Sequence, residues 1–403
     1  MRLKFFIAFL LLSFVLAACS GPASTEAPAA PSAPAAVEPT AAPAEPAAAY
    51  PVQATVTPPA PVAAYPAEPA APPETEKVQD ALGRPVNFAS TPQRCALVGR
   101  GVFMVADAVY AFPEASQNLV AIASMTQNAA DFISMIDPAF SEKETIDRSA
   151  GPEQIAALQP DCVILKTSNE SSLGKPLEEL QLPLVYVDFE TPEQFSRDLK
   201  TLGAVFNNPA RAEELISYYQ TNANAVTGIT NAIPADQRPD VLLVYYDVKD
   251  GAVAFNVAPQ SWMQTLLIEM AGGRPVWTDS PLENSWTTVS MEQIAAWNPD
   301  VVIVTAYSMD VAEAKQKLLD DPQWQVLDAV KNGKLYGMAS DVYTYDQPDT
   351  RWIMGLKWIA AKLHPESFPD FNLEATAAEF YKSIYNMDDA AFQQKILPLL
   401  KGD

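Results

Sequence analysis

Two glutamates hold equivalent positions in an internal repeat. The segment from Glu153 to Leu165 recurs from Glu292 to Val304 at a constant offset of 139 residues, and nine of the thirteen positions are identical. Each copy predicts a short helix, a Pro-Asp turn and a buried strand, because a β-branched apolar run follows the turn. Both glutamates fall in the first helical turn, where the helix dipole stabilises a carboxylate by about 0.3–1 kcal/mol. The repeat therefore predicts two similar lobes.

Residues that enzymes commonly use for catalysis are scarce. His364 is the only histidine, and its Leu-His-Pro context near a predicted helix end favours a solvated or capping role. A Ser-His-Asp site or a multi-histidine metal site therefore lacks its components. Gly99-Arg-Gly101 begins a dinucleotide-type pattern, but Met104 stands at the third glycine position. We expect no catalytic residue, no metal ligand and no cofactor, and keep a hydrolase acting through a carboxylate pair as the enzymatic alternative.

Alternating strand-like and helical segments would position the functional groups. Strand-like apolar runs occur at 120–122, 184–187, 241–245 and 334–338, separated by helical patterns. Residues 191–235 instead carry two proline-led helix starts and apolar residues at helical spacing. The pattern predicts an α/β protein of two Rossmann-like lobes with largely parallel sheets, joined by one long rigid α-helix.

The loops that follow the predicted strands carry cationic and aromatic residues. Open α/β sheets bind ligands beyond the carboxyl ends of their strands, so these loops are candidates for a ligand cleft between the lobes. Arg100 is the strongest candidate, because its neighbours Gly99 and Gly101 allow close approach of a ligand. Rings would stack on a planar chelate, and cations would pair with its oxygens. The full set is Arg100, Lys166, Tyr245, Tyr246, Trp286, Tyr307, Tyr343, Tyr345 and Arg351.

The net charge limits the possible classes of binding partner, and the cysteines raise the question of a disulfide. The chain has 49 Asp and Glu residues against 26 Lys and Arg, a formal net charge of −23, which disfavours nucleic acid and anionic lipid as partners. Cys95 and Cys162 lie in strand-like runs. Their spacing leaves open whether they form a disulfide, which an extracytoplasmic location would permit.

The first 76 residues predict export and tethering. Arg2 and Lys4 precede an apolar run from Phe5 to Leu16, the layout of an export signal. The sequence Leu16-Ala-Ala-Cys19 resembles the lipobox of bacterial lipoproteins, whose cysteine is acylated. Residues 20–76 contain 15 of the 36 prolines and few large aliphatic residues, which predicts a disordered Ala/Pro-rich linker.

Segments of the second half resemble the ABC-transporter solute-binding proteins that handle iron chelates, haem and cobalamin. The resemblance covers nearly all of residues 77–366. It is carried by Ser261 to Gly273, Trp286 to Gln293, Asp321-Pro-Gln-Trp324 and Ala329 to Tyr336, with Tyr345 to Trp352 similar to the iron-complex branch. Members of that family have two α/β lobes joined by a long helix and bind ligand between them.

This resemblance implies the partners and the roles of the glutamates. One acidic residue on each lobe docks onto arginines of the permease dimer in that family, which assigns docking to Glu153 and Glu292. It implies an ABC permease with its ATPase as partner, an iron chelate as ligand and an extracytoplasmic, membrane-anchored monomer. Cobalamin, haem and an oxyanion remain alternative ligands. The predicted organisation is a signal peptide at 1–19, a linker at 20–76, an N-terminal lobe at 77–190, a helical bridge at 191–235 and a C-terminal lobe with a helical tail at 236–403.

Overall fold

A computed structural model describes residues 78–125, 127, 132–249 and 251–402. The predicted lipidation site Cys19, the signal peptide, the linker and Lys77 lie outside the described residues. Within the described part, no helix has both the length and the apolar character needed to cross a membrane.

The first half of the described chain folds around a five-stranded parallel sheet. Its strands pair in the order β3-β2-β1-β4-β5. They are β1 (Cys95–Leu97), β2 (Leu119–Ala123), β3 (Glu144–Ile146), β4 (Cys162–Lys166) and β5 (Leu184–Val187). The accompanying helices are α1 (Val102–Val109), α2 (Ala115–Asn118), α3 (Phe132–Ile136), α4 (Pro152–Ala157) and α5 (Lys175–Glu179). Strands β1 and β4 are buried throughout, as expected for a sheet covered on both faces.

Cys95 and Cys162 pair directly across β1 and β4. Both side chains are buried and both thiols are free. A hydrogen bond with Cys95 and burial together raise the pKa of the Cys162 thiol. The thiols therefore pack as small apolar groups in the sheet, in their reduced form.

Two helices follow the first sheet: α6 (Pro192–Val205) and α7 (Pro209–Thr230). The side chains of Thr191 and Asn208 cap them by accepting backbone N–H bonds. Near the start of α7, Asn208 Nδ2 donates to Glu114 Oε1 over 2.7 Å. At its end, Thr230 Oγ1 donates to the carbonyl of Met270 over 2.7 Å. The 22-residue helix, about 33 Å long, therefore contacts both halves of the chain.

The second half contains a mixed sheet. The strands are β6 (Asp240–Lys249), β7 (Ala252–Val257), β8 (Arg274–Pro275), β9 (Thr287–Val289), β10 (Val301–Thr305) and β11 (Leu335–Gly337). They pair in the order β11-β10-β6-β7-β9, with β7 antiparallel to β6 and β9, and β8 added beside the start of β6. The helices are α8 (Met263–Met270), α9 (Met291–Trp297), α10 (Val311–Asp320), α11 (Asp328–Lys331), α12 (Trp352–Leu363), α13 (Leu373–Tyr385) and α14 (Asp389–Lys395). The predicted α/β class with largely parallel sheets is confirmed.

The C-terminal helices pack against the first half of the chain. Lys395 Nζ in α14 donates to the carbonyl of Met135 over 2.7 Å. The Phe132 ring lies edge-on to the rings of Tyr381 and Tyr385, which belong to α13, at 5.8 and 4.9 Å. The helical tail that the sequence assigned to the C-terminal lobe therefore also covers α3.

A buried ion cluster joins the two halves. The guanidinium of Arg351 is fully buried and pairs with Asp107 in α1 and, over 2.7 Å, with Asp341 Oδ1 after β11. It also stacks over the Phe132 ring at 4.4 Å. Burial raises the pKa of the neighbouring Asp349 carboxyl, which limits the negative charge around the single cation.

Loss of this cation should destabilise the protein strongly. We expect Arg351→Ala to lower the free energy of unfolding by about 3–5 kcal/mol, because it leaves buried carboxylates without their partner. Lys317→Ala is the control, since Lys317 forms an exposed pair with Glu313 and its loss should cost less than about 1 kcal/mol. Urea unfolding of both variants measures the difference, and equal losses would contradict a structural role for the cluster.

Candidate functional site

The two copies of the repeat form the same helix start. In α4, Gln154 Oε1 accepts the backbone N–H of Gly151 over 2.9 Å. In α9, Gln293 Oε1 accepts the backbone N–H of Ser290 over the same distance, and the Ser290 hydroxyl accepts the N–H of Gln293 in return. The repeated glutamine therefore closes the first turn of each helix.

The Pro-Asp turns are also equivalent. Asp161 accepts the backbone N–H groups of Gln93 and Arg94, just before β1. Asp300 accepts the backbone N–H of Asp240, at the start of β6. Each aspartate thus ties the turn to the neighbouring central strand. Equivalent left-handed residues precede them, Gln159 at φ 50° and Asn298 at φ 39°.

The glutamates of the repeat differ from its other polar residues. Glu153 and Glu292 are the second residues of α4 and α9, and both side chains are exposed. Neither forms an ion pair within the described residues. Hydrogen bonds from the backbone N–H of Glu292 and from the Ser290 hydroxyl lower the pKa of the Glu292 carboxyl. This carboxylate is therefore ionised at neutral pH. The repeated glutamine and aspartate bind backbone groups of the fold, whereas both glutamates are exposed and have no cationic partner among the described residues.

Polar side chains meet at the carboxyl edge of the first sheet. Lys166 ends β4, is almost fully buried and pairs with Glu190, which follows β5. Arg100 follows β1 and is exposed. Because β1, β4 and β5 are neighbours in the sheet, these three groups lie along one edge. The charge of Lys166 is already balanced by Glu190, so Arg100 is the exposed cation of this group.

The backbone around Arg100 is held in place by one side chain. Asn169 Oδ1 accepts the N–H of Arg100 over 2.9 Å, and Asn169 Nδ2 donates to the Arg100 carbonyl over 3.1 Å. Gly99 and Gly101 have φ values of 86° and 73°. A Cβ on Gly99 would lie 2.8 Å from Asn169 Cγ, and one on Gly101 would lie 3.1 Å from Lys166 Cδ. Glycine is therefore required by conformation and by space.

Four rings cluster at the carboxyl end of β10 and beside Tyr245, which pairs with Thr305 in the middle of β6. Tyr245 lies 4.5 Å from Tyr307 and 5.1 Å from Trp286, measured between ring centroids. Trp262, which precedes α8, lies edge-on to Trp286 at 5.7 Å. Each ring is partly exposed. We call these four residues the aromatic wall.

A buried carboxyl group anchors one side of this wall. The Tyr307 hydroxyl donates to Asp346 Oδ2 over 2.6 Å, and the Thr305 hydroxyl donates to Asp346 Oδ1 over 2.9 Å. Burial raises the pKa of Asp346, and burial beside that carboxyl raises the pKa of the Tyr307 phenol. The Tyr307 ring is thereby fixed, which prepares a rigid stacking surface.

Four predicted ligand contacts lie elsewhere. Tyr246 is buried and packs on Phe255, on the opposite face of β6 from Tyr245. Tyr343 and Tyr345 are buried as well, the first 4.8 Å from Phe103 and the second bonded to Asp341. Arg351 belongs to the buried ion cluster. All four side chains are buried and pack against other residues of the chain, so a role for them as ligand contacts stays a prediction.

The sole histidine also has a structural partner. His364 Nε2 lies 3.1 Å from the carbonyl oxygen of Gly272. Burial lowers the pKa of the imidazole, which favours its neutral form. No group of three or more potential metal-binding side chains occurs among the described residues.

Sequence reasoning missed three residues of the site. Trp262 precedes a helix and does not directly follow a strand, so it was not among the candidates chosen from the loops after predicted strands. Glu190 and Asn169 act on Lys166 and Arg100, and neither carries a sequence signal of its own. Only the fold brings them to these partners.

A family model described as "Periplasmic binding protein" matches residues 95–342. The chain belongs to this family. The matched range includes both sheets, both repeat copies and the aromatic wall. Members and structural neighbours of the family are binding proteins.

Individual relatives are distant, and the share of this chain that they cover differs from one to the next. The molybdate-binding protein MolA of Haemophilus influenzae is 22% identical over 60% of this chain and 73% of its own length. A vitamin B12-binding protein of Pectobacterium carotovorum is 26% identical over 38% of this chain, and the match spans about half of that relative, 52%. A periplasmic solute binding protein from Veillonella parvula superposes with a TM-score of 0.62 and 26% identity, covering 80% of this chain and 96% of its own.

The glycine before Arg100 offers a test of the site geometry. We expect Gly99→Ala to destabilise the protein by about 2–4 kcal/mol, the sum of a left-handed alanine and a collision with Asn169. Gly83→Ala is the matched control, since Gly83 has φ 75° and open space around it, and should cost only about 1 kcal/mol. Thermal unfolding compares the two, and equal shifts would contradict the close packing of Asn169 against the loop.

Proposed function

We propose that this protein is the solute-binding component of an ABC importer, which captures a metal chelate and delivers it to a membrane permease. The observation that carries the proposal is the pair of exposed glutamates, one beside each sheet, at the same position of the same helix start. Each exposed carboxylate suits a cationic contact on one subunit of a dimeric permease, with an ATPase supplying the energy for transport. Membership of the periplasmic binding protein family supports this reading.

The ligand we propose is a ferric chelate of the siderophore type. The aromatic wall supports a ligand with an extended planar or apolar surface, because rings of this kind stack on one another. Arg100 supports an anionic group at the other sheet edge, since a guanidinium pairs with carboxylate or catecholate oxygens. A curated relative is an Fe(3+)-citrate-binding protein of Bacillus subtilis, 22% identical over 48% of this chain. Cobalamin, haem or an oxyanion is the alternative ligand.

The cellular setting is part of the same proposal. Lipidation at Cys19 and a linker at 20–76 would hold a monomeric binding domain at the extracytoplasmic membrane surface. Such a tether raises the effective concentration of the domain beside its permease and favours repeated docking. The lobe boundaries at 77–190 and 236–403, bridged by 191–235, belong to this proposal too.

Docking should depend on the two glutamates, while ligand binding should not. We expect Glu153→Ala with Glu292→Ala to abolish uptake of a radiolabelled ferric chelate by cells and to leave the affinity of the purified domain unchanged. The matched control is Glu193→Ala with Glu374→Ala, because these exposed glutamates also lie in first helical turns. Loss of ligand affinity in the first double variant, or normal uptake, would overturn the docking assignment.

Ligand identity should register as a thermal shift. We expect a ferric siderophore to raise the unfolding temperature of the purified domain, since a ligand at 100 times its Kd stabilises by about 2.7 kcal/mol. Cobalamin, haem and molybdate form the comparison set. Arg100→Ala and Trp286→Ala should each lower the affinity for the chelate about tenfold. If only molybdate raised the unfolding temperature, and Trp286→Ala left that increase unchanged, the ligand would be an oxyanion and the proposed chelate would be wrong.

A further inference from the structure

The hairpin formed by β6 and β7 extends beyond the second sheet. Strand β10 pairs with β6 only as far as Tyr245, and β9 pairs with β7 only as far as Phe255. Beyond these residues, β6 and β7 pair with each other alone, up to Lys249 opposite Ala252. We call this extension, residues 247–249 paired with residues 252–254, the ribbon. Among the described strands, the first sheet has no antiparallel pair and no equivalent extension.

The ribbon exposes an apolar pair. Val248 and Val253 lie directly opposite each other, and their exposed fractions are 41% and 49%. Side chains of a strand alternate between faces, so Val248 shares the face of Tyr246, and Val253 shares that of Phe255. The aromatic wall contains Tyr245, which points to the opposite face. The valine pair is therefore separate from the proposed ligand surface.

The same face and edge of the sheet carry Glu292. Phe255 packs against Trp324, in the segment between α10 and α11. The connections from β9 to β10 and from β10 to β11 run across the sheet in the same direction. Because such connections are right-handed, α9 and α10 lie on the same face of the sheet. The contact between Phe255 and Trp324 identifies it as the face that carries the valine pair. Helix α9 begins two residues after Val289, where β9 leaves the sheet opposite Phe255. Its ionised glutamate thus lies at the edge from which the ribbon projects.

We propose that the ribbon is a second docking element for the permease, with Val248 and Val253 seated in an apolar recess beside the cation that binds Glu292. This inference rests on the proposed function. Its partner is a membrane protein whose extracytoplasmic face combines one cationic side chain with an adjoining apolar surface. An ion pair at an exposed edge contributes little alone, whereas burial of two valine side chains adds a substantial apolar contact. The second lobe would therefore dock over a larger area than the first.

Site-specific photocrosslinking in cells tests the ribbon. The full chain carries a benzophenone amino acid at position 253, and the control carries it at 326, because Val326 is an exposed valine outside the ribbon, 57% accessible. We expect position 253 to capture a multi-pass permease subunit, identified by mass spectrometry, and position 326 to capture none. Capture by 253 should disappear in the Glu153→Ala, Glu292→Ala background. Crosslinks to lipid, to another class of protein, or equally from both positions would overturn the inference.

A double substitution tests the contribution of the valine pair. We expect Val248→Ser with Val253→Ser to reduce chelate uptake about tenfold, with unchanged ligand affinity and unfolding temperature, and Val326→Ser to leave uptake unchanged. Normal uptake in the ribbon variant, while the two glutamates remain essential, overturns the ribbon inference and leaves the proposed function intact. Uptake that is independent of the glutamates overturns the proposed function itself.

Discussion

A buried guanidinium has to be paired, and the pairing of Arg351 connects the parts of the molecule that bear on function. Its partner Asp107 lies in α1, the helix that begins directly after the Arg100 loop. Its partner Asp341 begins the segment that also supplies Asp346, the anchor of the Tyr307 ring. One cation therefore ties the loop at the first sheet edge to the aromatic wall at the second. Because breaking a buried ion pair is costly, this link favours a fixed relation between the two surfaces over a hinged one.

The repeat shows how one local solution serves two sheets. Its glutamine closes a helix turn and its aspartate binds the start of the neighbouring strand, so both residue types are explained by folding alone. The glutamate is different, since an exposed carboxylate in the first turn gains only about 0.3–1 kcal/mol from the helix dipole. A role outside the chain accounts for its presence in both copies better than local stability does.

The sequence sufficed to predict the α/β class, the strand and helix of each repeat copy, and three of the four rings of the wall, because periodicity and turn chemistry are local. It was insufficient where tertiary contacts decide. Tyr246 neighbours Tyr245 in the chain but faces the other side of β6, and only register determines which of the two meets solvent. Arg351 looked available on a helix, whereas pairing with Asp341 and with the distant Asp107 holds it in the interior. Asn169 binds the backbone of Arg100, 69 residues away in the chain, and no sequence pattern predicts this contact.

The balance of charge and aromatic surface bears on the ligand. The chain carries a net charge of −23, so an anionic ligand must be attracted locally. Glu190 already balances Lys166, which leaves Arg100 as the exposed cation beside that pair. Four partly exposed rings would gain nothing from a small bare oxyanion, whereas a chelate with an extended ligand shell would cover them and remove apolar area from water. Within the proposed function, an exposed cation at one sheet and a broad aromatic surface at the other favour a bulky ligand of low net charge, such as a metal enclosed by an organic chelator.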